Sequence, residues 1–154
     1  NLRIISVDCS NKILKLASRN INRYNSLLSP RNNKVKLLKS NLFTSIDPML
    51  KLDFIISNPP YIPSKNIDDL QVEISNFEPR IALDGGQDGL NFYRYLLKTG
   101  SGFLKSNGEM LLELGSFRES ELESILQKNR FWESSCYIKD LGGKNRVWSL
   151  KKIN

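Results

Sequence analysis

The sequence predicts an α/β fold with a mainly parallel sheet that ends in an antiparallel hairpin. Three observations predict it. Short apolar runs recur without clean alternation, the pattern of parallel strands covered on both faces. Stretches with apolar residues at helical spacing lie between those runs, and alternation of the two kinds gives a parallel α/β sheet. The last two strand candidates are joined only by a short turn, so they pair antiparallel.

The elements follow in order. Ile4-Ile5-Ser6-Val7-Asp8 is an apolar strand ending in an acid. Ser10 is placed as the N-cap of a helix that carries Ile13, Leu14, Ala17, Ile21 and Tyr24 on one face. Ser29-Pro30-Arg31-Asn32-Asn33 reads as a turn. Val35-Lys36-Leu37-Leu38 and Leu52-Asp53-Phe54-Ile55-Ile56-Ser57 are the next strands. Residues 58–89 hold Pro59, Pro60, Pro63 and Pro79 and show no strong periodicity. A structureless stretch of that length inside a compact domain is usually functional. Asp88 is expected to cap a helix carrying Leu90, Tyr93, Leu96 and Leu97. Lys105-Ser106-Asn107-Gly108 turns into the strand Glu109-Met110-Leu111-Leu112-Glu113-Leu114. Ser116 and Glu119 have capping-box spacing, and the helix behind them buries Leu122, Ile125 and Leu126. Strands over 135–139 and 146–150 flank Leu141-Gly142-Gly143-Lys144. The sequence has no internal repeat.

A length of 154 residues fits one domain. No apolar run is long enough to cross a bilayer and no leader opens the chain, so the expected location is the cytoplasm or an organelle matrix. Cys9 and Cys136 give no metal spacing and are expected to be buried thiols. The count of histidines is zero, which excludes Ser-His and Cys-His nucleophile pairs and imidazole zinc sites. Chemistry here must use carboxylates, amides, hydroxyls, backbone groups or a cofactor. The net charge of +7 suits acidic partners such as RNA or ribosomal particles. Its lysines form no block, however, which reads as a solvated basic surface.

Asn58-Pro59-Pro60-Tyr61 is the sharpest feature. It directly follows a strand, and in open α/β sheets ligands sit at the carboxyl ends of strands. Two prolines fix two φ angles and remove two backbone donors. The Asn58 side-chain oxygen and the Pro59 carbonyl are then two rigid acceptors, one for each hydrogen of a planar NH₂ group. Tyr61 can stack on that group's flat face. Asp8, at the end of the first strand, can accept from the two hydroxyls of a ribose. It can equally stabilise the start of the helix that follows. Asp8 and Asn58 both stand at strand ends, on the same side of one expected sheet. Asp84-Gly85-Gly86-Gln87-Asp88-Gly89 lacks the spacing of a phosphate loop and reads as a turn. Glu78-Pro79-Arg80 either contacts substrate or pins the loop.

At these residues the chain resembles the HemK/PrmC family, the glutamine methyltransferases of peptide chain release factors. Ile56-Ser57-Asn58-Pro59-Pro60-Tyr61-Ile62-Pro63 looks like its signature. So do Phe77-Glu78-Pro79-Arg80-Ile81-Ala82-Leu83-Asp84-Gly85-Gly86 and the following Asp88-Gly89-Leu90. Val7-Asp8-Cys9-Ser10, Ser40-Asn41-Leu42-Phe43 and Asp140-Leu141-Gly142-Gly143-Lys144-Asn145-Arg146 resemble its ribose, adenine and C-terminal hairpin segments. The resemblance implies a Rossmann-like class I methyltransferase sheet and the cofactor S-adenosylmethionine. It implies that Asn58 and Pro59, with Pro60 and Tyr61, hold the glutamine amide of a release factor's Gly-Gly-Gln motif. Asp8 would take the cofactor ribose, and Asn41, where the family often has aspartate, would sit near the adenine. The family's first strand and glycine-rich loop have no counterpart in the sequence, so residues 1–154 are expected to form a partial domain. Two other readings stand beside it: an amine methyltransferase acting on nucleic acid or another translation protein, and a non-catalytic truncated remnant.

Overall fold

A computed structural model describes residues 1–28, 32–115 and 119–153, with 27, 28 and 133–135 in backbone only. The chain forms two compact units, Asn1–Pro48 and Met49–Asn154.

In the first unit, β1 (Arg3–Asp8) leads into α1 (Asn11–Arg23), the short α2 (Asn25–Leu28) and β2 (Lys34–Lys39). β1 and β2 pair in parallel from Arg3 opposite Lys34 to Asp8 opposite Lys39. Ser10 is the N-cap of α1, and its hydroxyl accepts the Ile13 amide at 3.4 Å. That satisfies one of the amides a helix start leaves unpaired. Of the predicted turn, residues 29–31 lie outside the described residues, and Asn33 accepts the Leu2 amide at 2.8 Å.

In the second unit, β3 (Leu52–Ser57), β4 (Leu104–Glu113), β6 (Asn145–Lys152) and β5 (Trp132–Lys139) form a sheet in that spatial order. β3 and β4 are parallel, while β6 runs antiparallel to both β4 and β5. The helices are α3 (Val72–Phe77), α4 (Arg80–Leu83), α5 (Asn91–Gly100) and α6 (Glu119–Leu126). Ile55, Met110, Leu112, Trp148 and Leu150 are buried on one sheet face, and Tyr93, Leu96, Leu97, Leu122 and Ile125 are buried on α5 and α6. The Trp132 indole N–H donates to the Leu97 carbonyl at 3.1 Å and ties α5 to β5.

Several expectations change. Coverage of both sheet faces does not hold in this unit, because Phe54 and Ile56 on the opposite face are 58% and 76% exposed. α3 and α4 bury none of their residues. As the missing counterpart of the family's first strand implied, the strands among the described residues form two hydrogen-bonded sheets, and β1 and β3 each have a neighbour on one side only. The turn at Lys105-Ser106-Asn107-Gly108 is an irregularity within β4: Leu104 pairs with Leu52, then Glu109 with Phe54. Asp88 does not cap α5. Leu90 holds that position, and Asp88 accepts the Leu90 amide at 3.1 Å while pairing with Arg94. Ser116, half of the expected capping box, lies outside the described residues. Cys9 and Cys136 are exposed free thiols, since one follows a strand end and the other lies on the open sheet face.

Candidate active site

Asn58-Pro59-Pro60-Tyr61 leaves β3 directly. Asn58 is exposed, Pro59 buried, and Pro60 and Tyr61 half-buried. Because the prolines lack amides, the next segment supplies the anchoring. The Ile62 amide donates to the Leu83 carbonyl, the Gly85 amide to the Ile62 carbonyl and the Ser64 amide to the Gly86 carbonyl, each at 2.9 Å. This short parallel bridge between Ile62 and Asp84 fastens the loop after β3 to the Leu83–Gly86 turn.

Asp84 completes the fastening. Its carboxylate accepts the Ser64 hydroxyl at 2.6 Å and the Gly86 amide at 2.9 Å, and meets Arg80 at 3.4 Å. The Ser64 hydroxyl above all, then the Gly86 amide and the Arg80 guanidinium, hold Asp84 below the usual carboxylate range. Arg80 also donates to Asp68 and to the Ser64 carbonyl, each at 3.3 Å. Of the two readings of Glu78-Pro79-Arg80, these bonds make Arg80 a pin for the loop.

At the end of β4, the buried Tyr93 hydroxyl donates to the Glu113 carbonyl at 2.6 Å. Burial, aided by the nearby Tyr61 and Glu113 and opposed by the Gly115 amide, raises the Tyr93 phenol above its ordinary value. Arg146 of β6 reaches the same strand end, where its carbonyl accepts the Leu114 amide at 2.9 Å. Its guanidinium pairs with Asp140 at 3.3 Å. Tyr93 and Gly115 therefore belong to the surroundings of Tyr61. A glycine directly after Leu114 is the one sequence signal that could have marked this place.

In the first unit, the half-buried Asp8 accepts the Ser10 amide at 2.6 Å through Oδ1. One carboxylate oxygen thus serves the helix start, as the structural alternative required. The Ser40 amide donates to the Asp8 carbonyl at 3.0 Å, which sets Asn41 beside Asp8 at the carboxyl ends of β1 and β2. Ser40 is buried, and its hydroxyl donates to the Leu42 carbonyl at 2.8 Å and accepts the Ser45 amide at 3.0 Å. This buried hydroxyl, which the sequence did not mark, fixes the turn that presents the exposed Asn41.

Solved methyltransferases share this fold. A methyltransferase from Pyrococcus furiosus matches 99% of this chain and 64% of its own, with a TM-score of 0.63 at 22% identity. The release factor-specific protein-(glutamine-N5) methyltransferase from Alicyclobacillus acidocaldarius matches 99% of this chain and 81% of its own, with a TM-score of 0.50 at 20% identity. The chain has the fold of the class I methyltransferases. No protein-family model matches it. In sequence, it is 37% identical over 149 residues to the release factor glutamine methyltransferase of Fusobacterium nucleatum, covering 97% of this chain and 40% of the relative. It is 34% identical over 154 residues to a bifunctional methyltransferase of Rickettsia prowazekii, covering 100% of this chain and 28% of the relative. Over nearly its whole length, the chain is similar in sequence to release factor glutamine methyltransferases, which it matches at 33–37% identity. It spans about half or less of the length of these relatives.

Proposed function

We propose that this chain carries the transfer site of an enzyme that moves a methyl group from S-adenosylmethionine to a release factor, onto the side-chain amide nitrogen of the glutamine in its Gly-Gly-Gln motif. The observation that carries the reading is the rigid Asn58-Pro59-Pro60-Tyr61 loop at the end of β3, fastened through Ile62 and Ser64 to the Leu83–Gly86 turn. An exposed asparagine amide beside a proline carbonyl supplies two neutral acceptors for one planar NH₂ group.

An amide nitrogen is a poor nucleophile because its lone pair is delocalised into the carbonyl. Holding it in the attacking orientation is therefore the main task, and well-oriented reactants gain about 7–11 kcal/mol that a loose encounter lacks. Asn58 Oδ1 and the Pro59 carbonyl each accept one amide hydrogen. They also stabilise positive charge as it develops on the nitrogen. The Tyr61 ring covers the flat face. Water takes the released proton, so no histidine is required.

The first unit suits the cofactor in its donor set. The half-buried Asp8 carboxylate matches ribose hydroxyls, with one oxygen already sharing the Ser10 amide, and the exposed Asn41 amide matches an adenine edge. When bound, S-adenosylmethionine supplies an electrophilic methyl group. The release factor sets the place of action in the cytoplasm or an organelle matrix, close to ribosomal RNA, which suits the charge of +7. No described helix is long and apolar enough to cross a membrane.

The test is mass spectrometry of a release factor incubated with the full-length protein and S-adenosylmethionine. One methyl on the glutamine is expected. Transfer to DNA or RNA, with none to the release factor, overturns the reading in favour of an amine methyltransferase.

A further inference from the structure

We propose that Gly85 and Gly115 are positioning residues: together they form a cradle without side chains that fixes Tyr61, and with it the wall against which the substrate amide lies. The inference rests on the functional reading above and extends it to two residues outside the Asn58-Pro59-Pro60-Tyr61 loop.

Both glycines meet Tyr61, Gly115 at its ring and Gly85 at its backbone. A Cβ on Gly115 would stand 2.6 Å from Cδ2 of the Tyr61 ring and 3.1 Å from Cγ and Cε2. A Cβ on Gly85 would stand 2.8 Å from the Tyr61 Cα and 2.6 Å from the Gly89 carbonyl oxygen. Gly85 thus lets the backbone of residue 61 close on the Leu83–Gly86 turn, and Gly115 lets the ring lie on the end of β4. Neither has a positive φ, whereas Gly86 and Gly89 do. Space, not backbone conformation, is what requires glycine at 85 and 115. Tyr93 reaches the same strand end, because its hydroxyl is bonded to the Glu113 carbonyl.

The consequence for catalysis follows from distance. Non-bonded carbons rest about 3.5–4 Å apart, so a methyl at 115 displaces the ring by about 1 Å. Misplacement of that size in a positioning contact costs on the order of 10²-fold in rate. The displacement acts on the orientation of the bound amide and leaves the cofactor's own contacts alone.

The experiment is a double-mutant cycle in the full-length protein with Gly115→Ala, Tyr61→Ala and the pair, and Gly102→Ala as control. Gly102 has nothing within 4 Å of its Cβ position, so its variant should behave as wild type. Two readouts are taken: kcat for methyl transfer to the release factor with the cofactor Kd, and the melting temperature. Gly115→Ala is expected to lower kcat on the order of 10²-fold with unchanged cofactor Kd, and to have no further effect once the Tyr61 ring is gone. If Gly115→Ala folds poorly, the pair should regain the melting temperature of Tyr61→Ala, because the obstructing ring is absent. Additive effects in the pair, on rate and on melting alike, overturn the cradle. If the wild type methylates no release factor, the functional reading fails by itself, and the melting cycle still decides whether Gly115 acts through Tyr61.

Discussion

The Ser64 hydroxyl donates to the Asp84 carboxylate at 2.6 Å, joining the chain just after the Asn58-Pro59-Pro60-Tyr61 loop to the turn that holds it. The Gly86 amide shares the same carboxylate. Asp84→Ala should therefore loosen both segments together. Amide hydrogen exchange at Ser64 and Gly86 should accelerate, and turnover should fall while cofactor affinity holds. Unchanged exchange at those amides would show that the backbone bridge alone fixes the loop.

Asn58→Ala removes one of the two acceptors for the substrate NH₂. Loss of one preorganised partner at a reacting centre costs about 10²–10³-fold in kcat. Cofactor binding, measured by calorimetry, should stay close to wild type. A variant that turns over normally would remove Asn58 from the chemistry.

Much of this was legible in the sequence, for a physical reason. Strand ends and turns are local signals: Leu52–Ser57 is apolar and ends at a double proline, and Ser10 stands before a helical repeat. The residues missed act over long separations. Gly115 meets Tyr61 and Ser64 meets Asp84 only after β3, β4 and the intervening loop have packed, and no periodicity encodes such pairs. Asp88 misled for a related reason. An acid before a helix reads as a cap, but Arg94 one turn inside α5 competes for its carboxylate.

Asp8 has two separable duties, and two substitutions divide them. Asp8→Asn keeps an oxygen for the Ser10 amide but removes the charge that suits ribose hydroxyls. It should weaken cofactor binding with little change in melting temperature. Asp8→Ala loses both, and the missing hydrogen bond costs about 1 kcal/mol in addition. Equal cofactor affinity in wild type and Asp8→Asn would assign Asp8 to the start of α1 alone.

Asp88 gives a pH-dependent term. The Arg94 guanidinium chiefly, with the Leu90 amide, holds its carboxyl down to about 2 from an ordinary 3.8. The folded state therefore binds this proton less readily than the unfolded state. The contribution is fully present above about 3.8, fades as pH falls toward about 2, and is absent below. A carbon-detected NMR titration should place the Asp88 midpoint near 2. In Arg94→Ala the midpoint should return toward 3.8, and a midpoint near 3.8 in the wild type would remove the ion pair from the account.

The 154-residue chain by itself should associate rather than melt sharply as a monomer. β1 and β3 each carry a ladder partner on one side only among the described residues, and open strand edges template further pairing. The open face of the second sheet adds apolar surface, with Phe54 58%, Ile56 76% and Ile138 50% exposed. In the first unit, Ile13 and Leu16 of α1 are 46% and 53% exposed, and α1 buries none of its residues. Edges and apolar faces together favour intermolecular pairing over a solvated monomer, with the charge of +7 as the main opposing term. Salt screens that charge, since the Debye length falls from about 30 Å at 0.01 M to about 10 Å at 0.1 M. Sedimentation velocity should show association that grows with protein concentration and with added salt, and the thermal transition should be broad. Ile56→Lys, which places a charge on the open face at the β3 edge, should shift the distribution toward monomer. A monomeric wild-type chain with one sharp cooperative transition at both salt concentrations would mean that these edges and faces are closed within the chain itself.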